Sequence, residues 1–339
     1  MDIIRKSGQM NEYHSRVFDM YFKDMSFAAF DIETTGLSPS SSQVILSGFC
    51  SCRGGKYETV QFFAESLSEE AELLEKTLAH MSSFDFAVTY NGHRFDTPFT
   101  IRRARRHNIE RRLTDSYPYD FDIYPLVRRF SDIASFTPNL RQKTLENFMG
   151  LWSTRSDKID GGDSVRMYYD YLVSRSDALK EKILLHNHDD VVQLYRLLAV
   201  TGRADMHAAM RRLGFPVSTH RGTFIITKSN IKGDSLTIRG KQPSEGIKYR
   251  YPGDGYFAFE FDRHGSFTIE LATEQHDELL LADLTRLPVS EAAFSSLPTY
   301  GSGYLVLRRG AQGKNKGTEN HMEINLLAQQ MLAGIISEI

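Results

Sequence analysis

This chain is poor in several things, and each shortage removes a class of protein. Only two of its 339 residues are cysteine, Cys50 and Cys52. They stand two apart in a run that reads as a strand, so they share a face and cannot easily adopt disulfide geometry. Without a second pair there is no disulfide scaffold and no four-cysteine zinc site. They read as reduced thiols of a cytoplasmic protein. No run of 18 apolar residues exists, which argues against a membrane-spanning helix, and Met1-Asp2-Ile3-Ile4-Arg5-Lys6 lacks the apolar centre of a secretion signal. The formal net charge is only -2, so any nucleic-acid surface must be local. No internal repeat or low-complexity tract interrupts the chain. An apolar fraction of 41% with 25% charged residues is that of a soluble globular protein, and the length suggests two domains.

The chain is organised around Phe27-Ala28-Ala29-Phe30-Asp31-Ile32-Glu33-Thr34-Thr35-Gly36-Leu37. Its short apolar run, bounded by a turn, predicts a buried strand. Residues two apart on a strand share a face, so Asp31 and Glu33 point the same way. Paired carboxylates at the end of a buried strand repel each other and lose hydration, which calls for a proton or a cation. Asp-x-Glu before Thr-Thr-Gly thus reads as half of a divalent-metal site, or as two acids solvated at a strand end. Gly36 is expected to take a backbone conformation that other residues resist.

Residues 1–25 read as a packed lead-in. Strands are expected at 43–49 and 57–63 around an Arg53-Gly54-Gly55-Lys56 hairpin turn. Ser66 and Glu69 fit a capping box before Ala71, Leu74, Leu78 and Met81 at helical spacing. A buried strand follows at 86–90, a helix from Asp96-Thr97-Pro98, a fifth strand at 121–127, and helices near 142–150, 164–174 and 178–200. Three antiparallel strands, a helix and then strand-helix units give an α/β, ribonuclease H-like mixed sheet over residues 1–203. Beyond it, residues 204–339 read as a β-rich accessory domain of short strands, with a mobile Gly/Lys-rich loop at 310–318 and a helix at 324–336.

Two further stretches complete the pattern. In Asn91-Gly92-His93-Arg94-Phe95-Asp96-Thr97-Pro98, Asp96 stands where a strand hands over to a helix, as a cap or as a metal ligand. In His186-Asn187-His188-Asp189-Asp190-Val191, His186 and Asp190 are four apart and share a helix face. Leu184, Val191, Leu194 and Leu198 mark the neighbouring core stripe, and alone the stretch also suits a solvated helix start. His93 and His188 read as ordinary residues. The ordered set Asp-x-Glu, Asp and His-x-x-x-Asp resembles the DEDD family of 3′-to-5′ exonucleases. It looks closest to the YprB-like branch, which shares Asn-Gly…Phe-Asp-x-Pro, a Leu-Glu-x-x-x-Gly stretch (here Leu145 to Gly150) and a final His-Asn-x-x-Asp-Val. The chain departs at one place: His186 stands where a commoner branch carries Tyr.

That resemblance covers roughly residues 25–200. It implies that Asp31, Glu33, Asp96 and Asp190 bind two Mg²⁺ or Mn²⁺ ions, hard cations that favour oxygen ligands. His186 would accept or orient a proton of the attacking water. Asp189 is the local competitor, but only Asp190 has the family spacing. Thr34, Leu37 and Asn91 would touch the terminal nucleotide by the same analogy. The helix after Asp96 carries six arginines in Ile101–Arg112, and Arg102, Arg105 and Arg106 would meet backbone phosphates unless the stripe is only a solvated face. The expected activity is hydrolysis of single-stranded DNA or RNA from its 3′ end. The rivals are an inactive nucleic-acid-binding scaffold and a structure-specific endonuclease on the same fold.

Overall fold

A continuous apolar run, Phe27-Ala28-Ala29-Phe30, makes the strand Phe27–Thr34 a core strand on both faces. Ala28, Phe30 and Ile32 join one buried cluster with Leu73, Leu74 and Leu78, while Leu46 and Phe63 on the neighbouring strands face Tyr168, Ile183 and Leu184 on the other side. The computed structural model describes residues 1–109, 117–156, 161–243, 246–312 and 315–339. The chain divides into two compact units, Met1–Ala204 and Asp205–Ile339.

The first unit carries strands β1 (Asp2–Gln9), β2 (Phe27–Thr34), β3 (Val44–Arg53), β4 (Lys56–Phe63), β5 (Phe86–Thr89) and β6 (Tyr119–Asp122). Among the described residues its helices are α1 (Arg16–Phe22), α2 (Glu70–Met81), α3 (Asp96–Arg106), α4 (Ile123–Phe130), α5 (Gln142–Phe148), α6 (Gly161–Ser174) and α7 (Asp177–Arg196). The sheet order is β1-β4-β3-β2-β5-β6. Pairings from β1 to β2 are antiparallel, and β2-β5-β6 run parallel. Helix α2 packs on β3 and β4, and α7 packs on β2, β3 and β4. The α/β, ribonuclease H-like mixed sheet expected from the sequence is therefore present.

Four local expectations change. The lead-in contributes the edge strand β1, paired from Asp2↔Phe63 to Gln9↔Lys56. An edge strand has one partner and little buried face, so it shows no clean alternation. The proposed fifth strand stops at Asp122, whose carboxylate accepts the Tyr124 N–H and, with Pro125 in the first turn, starts a helix instead. The capping box takes another form: Glu69 Oε2 accepts the N–H of Glu65, the residue before the expected cap, at 2.7 Å, and Ser66 Oγ pairs with Ser68 rather than capping. Gly36 is not in the left-handed region. It is small because a Cβ there would lie 2.7 Å from Ser42 Oγ.

The second unit opens with helix α8 (Met206–Leu213) and closes with helix α9 (His321–Glu338). One sheet orders β10 (Tyr249–Tyr251), β11 (Phe257–Phe261), β12 (Ser266–Ala272), β9 (Ser235–Lys241), β8 (Gly222–Lys232) and β7 (Phe215–Thr219). The other joins β13 (Glu274–His276), β14 (Leu279–Asp283), β16 (Tyr304–Gln312) and β15 (Tyr300–Gly301), with β17 (Asn315–Glu319) also on β16. The stretch expected as a mobile loop is thus largely strand, with Arg308 opposite Glu319 and Arg309 opposite Thr318. Among the described residues no helix is long and apolar enough to cross a membrane.

Candidate active site

Three elements of the first unit converge at the C-terminal end of β2. The strand brings Asp31 and Glu33 on one face, with a register shift between Glu33 and Thr34 where the chain leaves the sheet. Helix α3 brings Asp96 as its first residue. Helix α7 brings His186 and Asp190, one turn apart. His186 Nε2 lies 3.6 Å from Glu33 Oε1 and 3.4 Å from Asp190 Oδ2. One ligand atom from each of these three residues falls within 4.8 Å of the others.

The electrostatics of this cluster ask for positive charge. Burial pushes the Asp31 carboxyl well above its usual range, and the charges of Asp96, Asp190 and Glu33 push it further. Burial also raises Asp96 to about 7, against the Ile32 N–H that donates to its Oδ1 at 3.2 Å. That bond, rather than a cap of α3, is what Asp96 makes; Phe95 occupies the N-cap position. The donor set is hard carboxylate oxygen with one imidazole, which suits a divalent ion such as Mg²⁺ or Mn²⁺.

The neighbouring acid, Asp189, turns elsewhere. Its Oδ2 accepts the Ser156 N–H at 2.7 Å and its Oδ1 faces His188 Nδ1 at 3.2 Å. Gln193 Nε2 donates to Thr154 Oγ1 at 2.8 Å, so the 154–156 segment is held against α7 at two points. Between them Arg155 reaches inward. Its Nη1 donates to Glu146 Oε1 and Oε2 at 3.1 and 3.2 Å, and its Nη2 pairs with Asp190 Oδ1. Arg155 and Glu146 are both buried. Sequence reading missed this pair as functional: Glu146 was visible only inside the Leu-Glu-x-x-x-Gly stretch, and nothing around Arg155 marked it.

Asp122 is a third residue that sequence reading missed. Its carboxylate accepts the N–H groups of Asn91 at 2.7 Å, His93 at 3.2 Å and Tyr124 at 3.0 Å. It thereby pins the turn that leads to Asp96, with Asn91 held at a left-handed φ of 62°. Burial and the charge of Asp120 raise it to about 6.

The residues expected to meet nucleic acid divide into two groups. Leu37 is 86% exposed just past the turn that follows β2. Arg102 and Arg105 are exposed along α3. Thr34 is buried and its hydroxyl donates to the Gly36 carbonyl at 2.8 Å, so it is committed to the turn. Arg106 Nη1 donates to the Ser40 carbonyl at 2.6 Å. Buried Arg103 donates to the Pro39 carbonyl at 3.1 Å and pairs with buried Glu70, which also takes His107 Nε2 at 2.7 Å. Part of the arginine stripe therefore staples the turn after β2. Arg111 and Arg112 lie outside the described residues.

Comparison with known proteins agrees with this architecture. A family model described as RNase_H_2, of the RNase_H superfamily, matches residues 28–201, just over half of the chain. The chain belongs to the RNase H superfamily. Among curated proteins it is similar to a DNA polymerase of Methanocaldococcus jannaschii, 27% identical over 135 residues, which is 32% of this chain and 8% of that protein. It is also similar to DNA polymerase 1 of Pyrococcus abyssi, 25% identical over 142 residues, covering 34% of this chain and 18% of the relative. The match thus spans less than a fifth of either relative. Among solved structures, the family B DNA polymerase of Pyrobaculum calidifontis matches 52% of this chain and 24% of its own at 19% identity, with a TM-score of 0.42.

Proposed function

We propose that the first unit is a metal-dependent 3′-to-5′ exonuclease of the DEDD type acting on a single-stranded end. The observation that carries the reading is the gathering of Glu33, His186 and Asp190 within 4.8 Å, beside two further acids whose protons are held tightly by burial and by neighbouring carboxylates. Asp31, Glu33, Asp96 and Asp190 would hold two Mg²⁺ or Mn²⁺ ions. Such ions, when bound, activate water and stabilise charge on the departing oxygen of a phosphodiester. His186, whose Nε2 lies between Glu33 and Asp190, would accept or orient a proton of the attacking water. Leu37 would pack against the terminal base, and Arg102 and Arg105 would meet the backbone phosphates leading to it. The similarity to segments of DNA polymerases supports nucleic acid as the substrate. The second unit, Asp205–Ile339, would be an accessory domain.

The test uses DNA and RNA strands labelled at the 5′ end, with Mn²⁺ or Mg²⁺, and a matched strand blocked at its 3′ end. The expected result is stepwise shortening of the open strand only, abolished by chelator. Cutting of the blocked strand would replace this reading with an endonuclease. Absence of cutting on every substrate, with Mn²⁺ still bound, would favour a binding scaffold.

A further inference from the structure

Asp31, Gly48 and Gln61 stand side by side across β2, β3 and β4, each in register with the next. Helix α7 crosses this row, and Asn187 lies over the glycine. A Cβ at Gly48 would sit 2.0 Å from Asn187 Oδ1, so no other residue fits beneath that amide. Asn187 is fully buried. Its Nδ2 donates to Asp31 Oδ2 at 3.0 Å, and its Oδ1 accepts from Gln61 Nε2 at 2.9 Å. Gln61 Nε2 also donates to the Leu184 carbonyl at 2.9 Å.

The direction of this chain of bonds is fixed at its far end. A backbone carbonyl only accepts, so Leu184 requires the NH₂ of Gln61. That NH₂ then requires the oxygen of Asn187, which leaves the Asn187 NH₂ facing Asp31. Gln61 adopts this orientation although its own Oε1 then has no hydrogen-bond partner among the described residues. A buried amide that leaves its carbonyl unpartnered is being held by what its other end must do.

We infer that Asn187, oriented through Gln61 and seated on Gly48, is a positioning residue that clamps Asp31 Oδ2 and so presents Oδ1 to a divalent cation. The inference rests on the reading of Asp31 as a metal ligand. The arrangement does for a carboxylate what outer hydrogen bonds commonly do for metal ligands, fixing one atom so that the other is aimed. Gln61 acts entirely through Asn187. Asn187 itself need not touch the ion.

Mn²⁺ binding to the metal-free full-length chain, read by calorimetry, tests this without an activity assay. Asn187→Leu removes the donor at similar volume, and Gln61→Met removes the group that orients it. Ser47→Ala is the control, since Ser47 neighbours Gly48 but bonds Thr77 Oγ1 at 2.6 Å on the opposite face. Asn187→Leu should weaken Mn²⁺ by roughly 10–100-fold, the usual loss on removing an outer hydrogen bond. Gln61→Met should weaken it in the same direction, and Ser47→Ala should leave it unchanged. Gly48→Ala should melt well below the parent, and Gly48→Ala combined with Asn187→Ala should recover much of that loss while Mn²⁺ binding stays weak. Parental Mn²⁺ affinity in folded Asn187→Leu and Gln61→Met would overturn the clamp while leaving the metal site standing. Failure of the parent itself to bind Mn²⁺ would overturn the metal site and the clamp with it.

Discussion

Replacing Asp96 with asparagine should make the metal-free protein more stable at alkaline pH. Asp96 is 5% exposed, and its carboxyl is raised to about 7 from an ordinary 3.8. Ionising it in the fold therefore costs roughly 4 kcal/mol more than in the unfolded chain, at about 1.36 kcal/mol per pH unit. Asparagine keeps an oxygen for the Ile32 N–H and sheds the charge. The sign follows from proton linkage: an acid that binds its proton more tightly when folded stabilises fully below its unfolded value and loses that stability as pH rises through its folded value. In denaturant titrations with chelator at pH 8, Asp96→Asn should exceed the parent by about 1–4 kcal/mol, the lower figure allowing for relaxation around the ionised parent. The gain should fall to under half at pH 5 and vanish below about pH 4, because both forms are then neutral. Mn²⁺ at a thousandfold excess over Kd should reverse the ranking, since it adds about 4.1 kcal/mol to whichever protein binds it. A variant less stable than the parent at pH 8 without metal, or an advantage independent of pH, would refute the reasoning.

Other perturbations test the remaining parts. Arg102→Gln with Arg105→Gln should weaken single-strand binding and flatten its salt dependence by about 1.4 in the log-log slope, at roughly 0.7 per phosphate contact; Arg106 is left alone because it holds Ser40. His186→Ala should lower turnover by roughly 10²–10⁴-fold with Mn²⁺ saturating, whereas His188→Ala, whose ring faces Asp189, should stay near parental rates. Arg155→Ala leaves Glu146 buried without its cation and should cost about 3–5 kcal/mol in denaturant titrations, while Arg155→Met with Glu146→Leu should recover most of that loss.

The sequence displayed what depends on local periodicity. Asp31 and Glu33 two apart on a strand, and His186 and Asp190 four apart on a helix, are consequences of side-chain spacing, so their convergence on one site needed only the fold order to be right. The hairpin at Arg53–Lys56 was visible for the same reason, since two glycines between apolar runs leave few alternatives. What stayed hidden depends on partners far away in the chain. Strand β1 exists because β4 offers an edge, and nothing within Asp2–Gln9 announces it. Arg103 looks like any other member of the arginine stripe until Glu70 is seen buried beside it. Gly48 sits in an unremarkable apolar strand, and only the helix crossing above it explains the missing side chain.

The adjacent acids of α7 show why the site could be located but not completed from the sequence. Successive helical residues are turned by about 100°, so Asp189 and Asp190 must face different neighbours. Asp190 turns to His186 and the strand acids, and Asp189 turns to the Ser156 N–H. The second contact looks merely structural, yet it holds the segment that delivers Arg155 to the outer oxygen of Asp190. With Oδ1 engaged there and Oδ2 beside His186, the carboxylate has one orientation rather than several. Asp31 is held by the same logic from the sheet side, one oxygen taken by Asn187. Two acids on different elements thus each have one oxygen bound by a residue outside the acid set, and the spacing of the acids alone carries no trace of those residues.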